Sequence, residues 1–472
     1  MTKLSTVLFF FYIVLFTSYG INRSEIRFTI IIGPDAGEAL QISANDLSAY
    51  VQKTIKSASV ATANKLDLNK TKGNIIAVGN RENNSLIKEL ASEGSLGEAP
   101  RDWNSFTIST IIKGEATIYV LEGADLMGQQ YACYDFIEKA LGVRFLGVDI
   151  EYVPELEGIG SPINTGVQNP QFKWRGLQIW NYHYDQRGTG SFCDINDRYL
   201  ANDWEWYKKM ADWLVKNKQN YVQWYDETMG YVPMSSLIED EVIDYFAMRG
   251  IKRLIGLGWA ANEGKPKEWK LAEGLYDTSK VCIGADGKPI GHEHEFTIAT
   301  CPKSEAYFPL AEQNINAFDF SKNDIIGAVI GYGETKRSQT THNGCIRHPN
   351  ITALELIQKD RMFAREKIDE IAQQNINLGY VVMDFGGSEA SLRSKKMFDA
   401  LPDSSILFLW TYRDFGWKGN ENTYQWVQEA ANEGRTIQIF QQAEVDFICQ
   451  SDLPLYRFDI WETARSPFQG HG

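Results

Sequence analysis

Seven short runs of β-forming residues recur along the C-terminal two-thirds of the chain, each separated from the next by a stretch rich in helix formers. They are FKWRGLQIW (172–180), NYVQWYDE (220–227), IKRLIGLGW (251–259), IIGAVIGYGE (325–334), GYVVMDF (379–385), SILFLWTY (405–412) and TIQIF (436–440). Strands alternating with helices imply a parallel sheet. Seven or eight such units in about 300 residues suggest a (β/α)8 TIM barrel. An eighth strand can be drawn through LPLYRFDIW (453–461), but little chain follows it for a closing helix. Either the barrel is incomplete at its C-terminus or the sequence is part of a longer one.

The region 22–160 has a different texture. It reads as strand (26–33), helix (38–55), strand (74–79), helix (84–92), two strands (105–112 and 116–123) and a helix over 125–141 that Gly142 is placed to stop. Lys113-Gly114-Glu115 joins the last two strands with a hairpin-sized connection. The expectation is a small α/β domain with a mixed, largely antiparallel sheet. A proline-containing link, SPINTGVQNPQF (161–172), leads into the barrel domain, taken as 166–472. Between the third and fourth barrel strands, residues 260–300 are polar and glycine-rich, which predicts an elaborated loop over the barrel mouth.

Residues 1–20 read as a secretory signal: Lys3, an apolar stretch from Val7 to Phe16, and small residues at Ser18 and Gly20. The apolar stretch is short for a membrane span. The expected location is therefore secreted or periplasmic, without stable membrane insertion after cleavage. Acidic residues outnumber basic ones, 61 to 47, and an acidic surface argues against nucleic acid as a partner. The six cysteines (Cys133, Cys193, Cys282, Cys301, Cys345 and Cys449) have long, unequal spacings and no C-x-x-C. Neither a zinc ribbon nor a redox motif is indicated, and buried free thiols are expected. Export leaves a disulfide open, Cys282 with Cys301 being the nearest pair.

Ala44-Asn45-Asp46-Leu47-Ser48-Ala49-Tyr50 resembles the "A-x-D-L-x-x-Y" helix of the N-terminal domain found beside glycosidase barrels. The stretch from Gly128 to Glu138 (GQQYACYDFIE), with Leu141-Gly142-Val143-Arg144 after it, is similar to the "G-x-x-Y-A-x-Y-D-F-L-E-x-x-L-G-V-R" helix of α-glucuronidases and β-N-acetylhexosaminidases. Tyr152-Val153-Pro154 matches as well. In the barrel half, Pro170 to Gly176 (PQFKWRG) resembles the "P-x-F-x-x-R-G" opening of first strands in these families. Ala299 to Glu305 (ATCPKSE) is similar to a segment before strand four in barrel proteins carrying this N-terminal domain. The resemblance implies glycosidase chemistry, with a general acid supplied from strand four.

Glu334 ends the fourth barrel run and Asp384 the fifth, where barrel enzymes place catalysis. They are the catalytic candidates: one carboxyl protonates the leaving oxygen and the other activates water or attacks the anomeric carbon, across about 5–10 Å. Strand six ends in Trp410-Thr411-Tyr412, with no carboxylate before Asp414; this departs from the α-glucuronidase pattern of base carboxylates on strands five and six. Asp384 reads equally as a hydrogen-bonding residue, and Glu334 has the plain reading of an exposed loop glutamate. Asp226 and Glu227, after strand two, can bind sugar hydroxyls. In hexosaminidases an Asp-Glu pair follows strand four instead, where this chain has Gly333-Glu334.

Aromatic rings stack on sugar faces, and twelve of the thirteen tryptophans lie beyond residue 165. Trp180, Trp224, Trp259, Trp410 and Trp461 fall at or near strand ends; some of them must be core. Trp180 with Asn181, and Trp410 with Tyr412, are the preferred stacking pairs, and His183 and Arg175 at the first strand are expected to reach the pocket. Lys336 and Arg337, with Arg175, can pair with a uronic acid carboxylate or sit in weak surface ion pairs. His292 and His294 alternate like a metal pair, but no further ligand is placed by spacing, so no metal or other cofactor is expected. The sequence is thus consistent with a secreted, exo-acting glycoside hydrolase removing a terminal sugar, a uronic acid or amino sugar among the possibilities. The alternative is a catalytically silent barrel that binds glycans in polysaccharide utilisation. Oligomeric state is not legible.

Overall fold

The computed structural model describes residues 25–64, 72–160, 162–170, 172–180, 203–225, 240–257, 270–272, 275–290, 301–316, 318–322, 324–330, 344–351, 353–372, 377–382, 399, 406–411, 429, 432–434 and 436–441. In the N-terminal part the chain forms β1 (Ile26–Ile32), α1 (Glu38–Thr54), β2 (Ala58–Ala63), β3 (Gly73–Gly79), α2 (Ser85–Ser92), β4 (Phe106–Lys113), β5 (Ala116–Gly123) and α3 (Leu126–Ala140). The sheet order is β2-β1-β3-β5-β4. β4 and β5 pair antiparallel, as the short turn between them dictates. The other three pairings, β1–β2, β1–β3 and β3–β5, are parallel. The sheet is mixed as expected, but it is mostly parallel rather than largely antiparallel. The physical reason is the crossover helix: α1 carries the chain back to start β2 in the direction of β1, which a tight turn cannot do. β2 itself was not anticipated.

Both faces of this sheet are covered, and the strands show it residue by residue. In β3, Ile76 and Val78 join one core while Ile75 and Ala77 join another; in β5, Tyr119 and Leu121 divide from Ile118 and Val120 in the same way. This is the period-two alternation of a strand buried on both sides. Helix α2 supplies Leu86, Ile87 and Leu90 to the smaller core, and Asn84 caps it by accepting from the amides of Leu86 and Ile87. Helices α1 and α3 cover the other face. The buried side of α1 runs Leu40, Ala44, Leu47, Val51 and Thr54, at helical spacing.

The exposed edge of the sheet, β4, is closed by the proline-containing link. Phe106 and Gln168 exchange backbone hydrogen bonds (3.1 and 2.7 Å), and Thr165 donates its amide to the Ile108 carbonyl at 3.0 Å. The Thr165 and Asn164 side chains accept from the amides of Ile108 and Thr110. A capped edge cannot recruit another strand.

The C-terminal part holds seven strands, all parallel: β8 (Gly176–Trp180), β9 (Tyr221–Tyr225), β10 (Lys252–Leu257), β13 (Ile325–Ile330), β14 (Asn377–Val382), β15 (Ile406–Thr411) and β16 (Thr436–Gln441). They lie side by side in chain order, at the seven places predicted. Between them run α4 (Trp204–Lys216), α5 (Asp240–Met248), α6 (Tyr307–Asn316) and α7 (Ala353–Ile371). Two small hairpins complete the described elements: β6 (Arg144–Gly147) with β7 (Ile150–Tyr152), and β11 (Lys270–Ala272) with β12 (Leu275–Tyr276). The eighth strand expected at 453–461 lies outside the described residues. Among the described residues, β8 and β16 are the edges of the sheet, and no helix is long and apolar enough to cross a membrane.

The two parts share one core through α3. Every residue of α3 from Met127 to Ile137 is buried, which requires neighbours all round. One side packs on the sheet and α1; the other meets α4. Two glycines allow the approach. A Cβ on Gly128 would lie 2.3 Å from the Ser105 carbonyl oxygen. Gly250 has φ +86°, and its Cβ would lie 2.6 Å from Met127 Sδ.

Arg249, just past the end of α5, is fully buried and fastened to α3 and α4. Its Nε donates to Gln130 Oε1 (3.2 Å), its Nη2 donates to the Tyr134 hydroxyl (3.0 Å), and its Nη1 pairs with Asp212 of α4. Gln130 returns a hydrogen bond to the Arg249 carbonyl (3.0 Å), and Tyr134 donates to Asp46 Oδ2 of α1 (2.8 Å). A second fastening joins Glu151, Tyr50 and Lys216: Tyr50 donates to Glu151, and Lys216 reaches both, at 3.2 Å to Tyr50 and 3.1 Å to Glu151.

Arg249→Ala leaves buried Gln130 and the partly exposed Asp212 without their guanidinium partner and is expected to cost about 3 kcal/mol in denaturant unfolding. Gly128→Ala should also destabilise strongly, because the obstacle is backbone. Burial alone would raise the Glu151 pKa, but the hydrogen bond from Tyr50 and the Lys216 charge outweigh it and hold the carboxyl below its ordinary value. The fastening is therefore fully present above the ordinary glutamate range and is lost as pH falls through the depressed value. Melting temperature followed against pH should show that acid loss in the wild type and a smaller one in Glu151→Gln.

Candidate active site at the carboxyl edge of the sheet

Because all seven C-terminal strands are parallel, their carboxyl ends share one edge: Trp180, Tyr225, Leu257, Ile330, Val382, Thr411 and Gln441. Three predicted site residues lie within strands near this edge. Trp180 is in register with Tyr225, Trp224 with both Ile179 and Ile255, and Trp410 with Phe440. The others follow the strand ends in the chain: Asn181 and His183 after β8, Asp226 and Glu227 after β9, and Trp259 after β10. Glu334, Lys336 and Arg337 follow β13, Asp384 follows β14, and Tyr412 follows β15. These residues, together with Trp461, His292 and His294, lie outside the described residues.

β13 and β14 are hydrogen-bonded neighbours, from Gly327↔Asn377 to Ile330↔Tyr380. The chain thus leaves two adjacent strand ends just before Glu334 and Asp384. Below them, at the amino end, Arg253 and Asp324 form a buried ion pair, and the Arg253 amide donates to the Asp324 carbonyl at 2.8 Å. This pair ties the start of β13 to β10 beside a register shift between Arg253 and Leu254.

Arg175 belongs elsewhere, and the structure corrects its expected place. It precedes β8, so it stands at the amino end of the strand, opposite the carboxyl edge. Its hydrogen bonds go to the domain junction: Nε to the Lys218 carbonyl (2.9 Å), Nη1 to the Phe172 carbonyl (2.5 Å), and Nη2 to Tyr131 (3.3 Å) and Asn104 (3.4 Å). The guanidinium also stacks on the Tyr131 ring, 5.5 Å from its centroid. Asn220 completes the joint, accepting from the Arg175 amide at 2.8 Å and donating to Asn104 Oδ1 and the Lys173 carbonyl, both at 2.7 Å. Asn104 and Lys218, the two non-glycine residues with positive φ among the described residues (56° and 61°), both stand in this network. The sequence marked Arg175 by its place in a motif; its neighbours show that the motif records assembly of the two parts.

A second cluster was missed. The thiols of Cys282, Cys301 and Cys345 and the imidazole of His348 are all buried and converge, their ligand atoms within 4.8 Å of one another. They lie on the excursion from β10 to β13 and on the segment between β13 and α7. Among the described residues this is the set able to hold a metal ion. No disulfide joins the described cysteines, Cys282 and Cys301 included, and Cys133 is a separate buried thiol inside α3, where burial raises its pKa and leaves it inert. The sequence carries no C-x-x-C, but Cys345-Ile346-Arg347-His348 has a C-x-x-H spacing that signals the site.

No family model matches the chain, and no curated protein matches it. Solved structures do. A 4-O-methyl-α-glucuronidase of glycoside hydrolase family 115, with specificity for decorated arabinogalactans, superposes with a TM-score of 0.51 at 10% identity, over 95% of this chain and 58% of that one. The likeness is one of fold. A family 89 glycoside hydrolase from Clostridium perfringens, in complex with PUGNAc, matches at TM-score 0.46 and 10% identity over 91% of this chain and 51% of that one. A β-N-acetylhexosaminidase from Bacteroides fragilis matches at 0.41 and 12% over 89% and 71%. These last two are too loose to carry an argument. The chain spans little more than half the length of the glucuronidase it matches.

Arg175→Ala should lower the melting temperature, and Arg175→Lys should not restore it, since one ammonium cannot span the acceptors a guanidinium fork reaches. If either variant instead lost carbohydrate binding at unchanged stability, the junction assignment would fail.

Proposed function

We propose that the protein is a glycoside hydrolase acting at the ends of glycans, with its active site at the carboxyl edge of the parallel sheet. The observation that carries this is the pairing of β13 with β14, which brings the chain to Glu334 and Asp384 from neighbouring strands on the edge where barrel enzymes gather catalytic groups. Glu334 is assigned as the general acid and Asp384 as the second carboxylate, serving as base toward water or as nucleophile. Trp180, Trp224, Trp259, Trp410 and Tyr412 supply stacking surfaces, and Asn181, His183, Asp226 and Glu227 hydrogen bonds to hydroxyls. Lys336 and Arg337 favour a substrate carrying a carboxylate, such as a uronic acid. Action at chain ends suits a long excursion between β10 and β13, which can narrow an open cleft toward a pocket. Export, read from residues 1–20, brings the protein to polymeric glycans outside the cell.

Sugars released from plant, algal and host glycans by the wild-type protein, measured by mass spectrometry, test this. One monosaccharide is expected, with Glu334→Gln reducing its release about 100-fold or more. Binding retained without release, in wild type and variant alike, would overturn hydrolysis in favour of a glycan-binding protein. The carboxylate-free end of β15 at Thr411 gives that second reading its specific support.

A further inference from the structure

We propose that Cys282, Cys301, Cys345 and His348 bind one zinc ion in a closed tetrahedral site that staples the β10–β13 excursion to the segment following β13. The reading is independent of the glycosidase assignment.

The four side chains arrive on three separate pieces of chain. Cys282 lies in a hairpin closed by Gly284 donating to the Lys288 carbonyl and Ile290 donating to the Cys282 carbonyl, both at 2.9 Å. Cys301 opens a tight turn, with Ser304 donating to its carbonyl at 2.8 Å, and Cys345 opens another, closed by His348 at 3.1 Å. Backbone bonds hold the three pieces together: Cys301 to the Lys280 carbonyl and Ile346 to the Ile283 carbonyl, each at 2.9 Å. Arg347 adds its Nη1 to the Val281 carbonyl at 3.1 Å. The scaffold around the four ligands is therefore built on the backbone.

The distances suit zinc. Bond lengths of about 2.3 Å to sulfur and 2.0–2.1 Å to nitrogen give a tetrahedron with edges of about 3.5–3.8 Å. Cys282 Sγ lies 3.5 Å from His348 Nε2, and no pair of ligand atoms exceeds 4.8 Å. Three sulfurs with one nitrogen select a soft, tetrahedral ion, and three thiolates with one imidazole are a common structural zinc set.

Two of the three sulfurs are also prepared for negative charge. The Lys303 amide hydrogen-bonds Cys301, and the Ile283 and Arg347 amides hydrogen-bond Cys345. Three thiolates around a divalent ion leave one net negative charge, and the Arg347 side chain, within hydrogen-bonding reach of Cys301, offsets it. A disulfide between any two of the cysteines would leave a third thiol and an imidazole buried with no shared purpose. Zinc uses all four. With every position filled by protein, the ion has no open site for water, so its role is structural.

The staple also reaches the proposed active site through the chain. Glu334 lies between Ile330, the last residue of β13, and Cys345. The segment carrying it is thus anchored at one end by the sheet and at the other by the metal.

The full-length protein without a histidine tag, purified from zinc-replete medium and desalted, should contain about one zinc per chain by elemental analysis. Cys282→Ser and Cys345→Ser should lower that content about tenfold or more, while His348→Cys, which supplies a fourth thiolate, should keep it. Stripping zinc from the wild type with a chelator should lower its melting temperature, and reloading with Co2+ should give the thiolate-to-metal charge-transfer and visible bands of a tetrahedral site; neither readout depends on a variant folding. Metal-free wild-type protein whose intact mass shows a disulfide would overturn the proposal, as would zinc retained in full by both serine variants.

Discussion

The buried Arg249 is the interaction on which the rest of the molecule depends. A fully buried guanidinium is tolerated only when its donors are met and its charge is answered, and here the partners come from three helices. Gln130 and Tyr134 belong to α3, Asp212 to α4, and Asp46 of α1 takes the Tyr134 proton beyond them. Satisfying one side chain thus fixes the relative positions of the N-terminal sheet and the first two helices of the C-terminal part. The parallel strands take their orientation from those helices, and the carboxyl edge takes its place from the strands.

This accounts for the motif residues that the sequence displays most openly. Tyr50 of the "A-x-D-L-x-x-Y" helix, Tyr131 and Tyr134 of the "G-x-x-Y-A-x-Y-D" helix and Arg175 of the strand-one opening are each bonded across the junction, and Asp46 stands one bond behind it through Tyr134. Gly128, which begins the second motif, is where the helix touches backbone. The resemblance to glycosidase N-terminal domains therefore rests on fasteners, and it speaks to architecture. Likeness to the family 115 glucuronidase at 10% identity speaks to architecture too.

The strands were legible because each is a short apolar run between helix formers, a local signal, and all seven were placed correctly. Sheet direction in the N-terminal part was not, because β2 is a weak strand, ASVATA, whose pattern is hidden until α1 returns the chain beside β1. Arg175 was misplaced because a residue at the beginning of a strand and one at its end look alike in a linear motif. The cysteine site was missed for a related reason: Cys282 and Cys301 come from separate segments, and only folding brings them to Cys345 and His348.

The link that caps β4 has a consequence for how this architecture can be divided. In sequence, 161–172 looks like a hinge between two modules, a natural place to cut. In the structure it is a sixth rung on the sheet, donating to Ile108 and exchanging bonds with Phe106, while the far side of α3 is lined by α4. The N-terminal part is therefore not a portable cassette. Cut out before the link, it would carry an open strand edge and an apolar helix bare of α4.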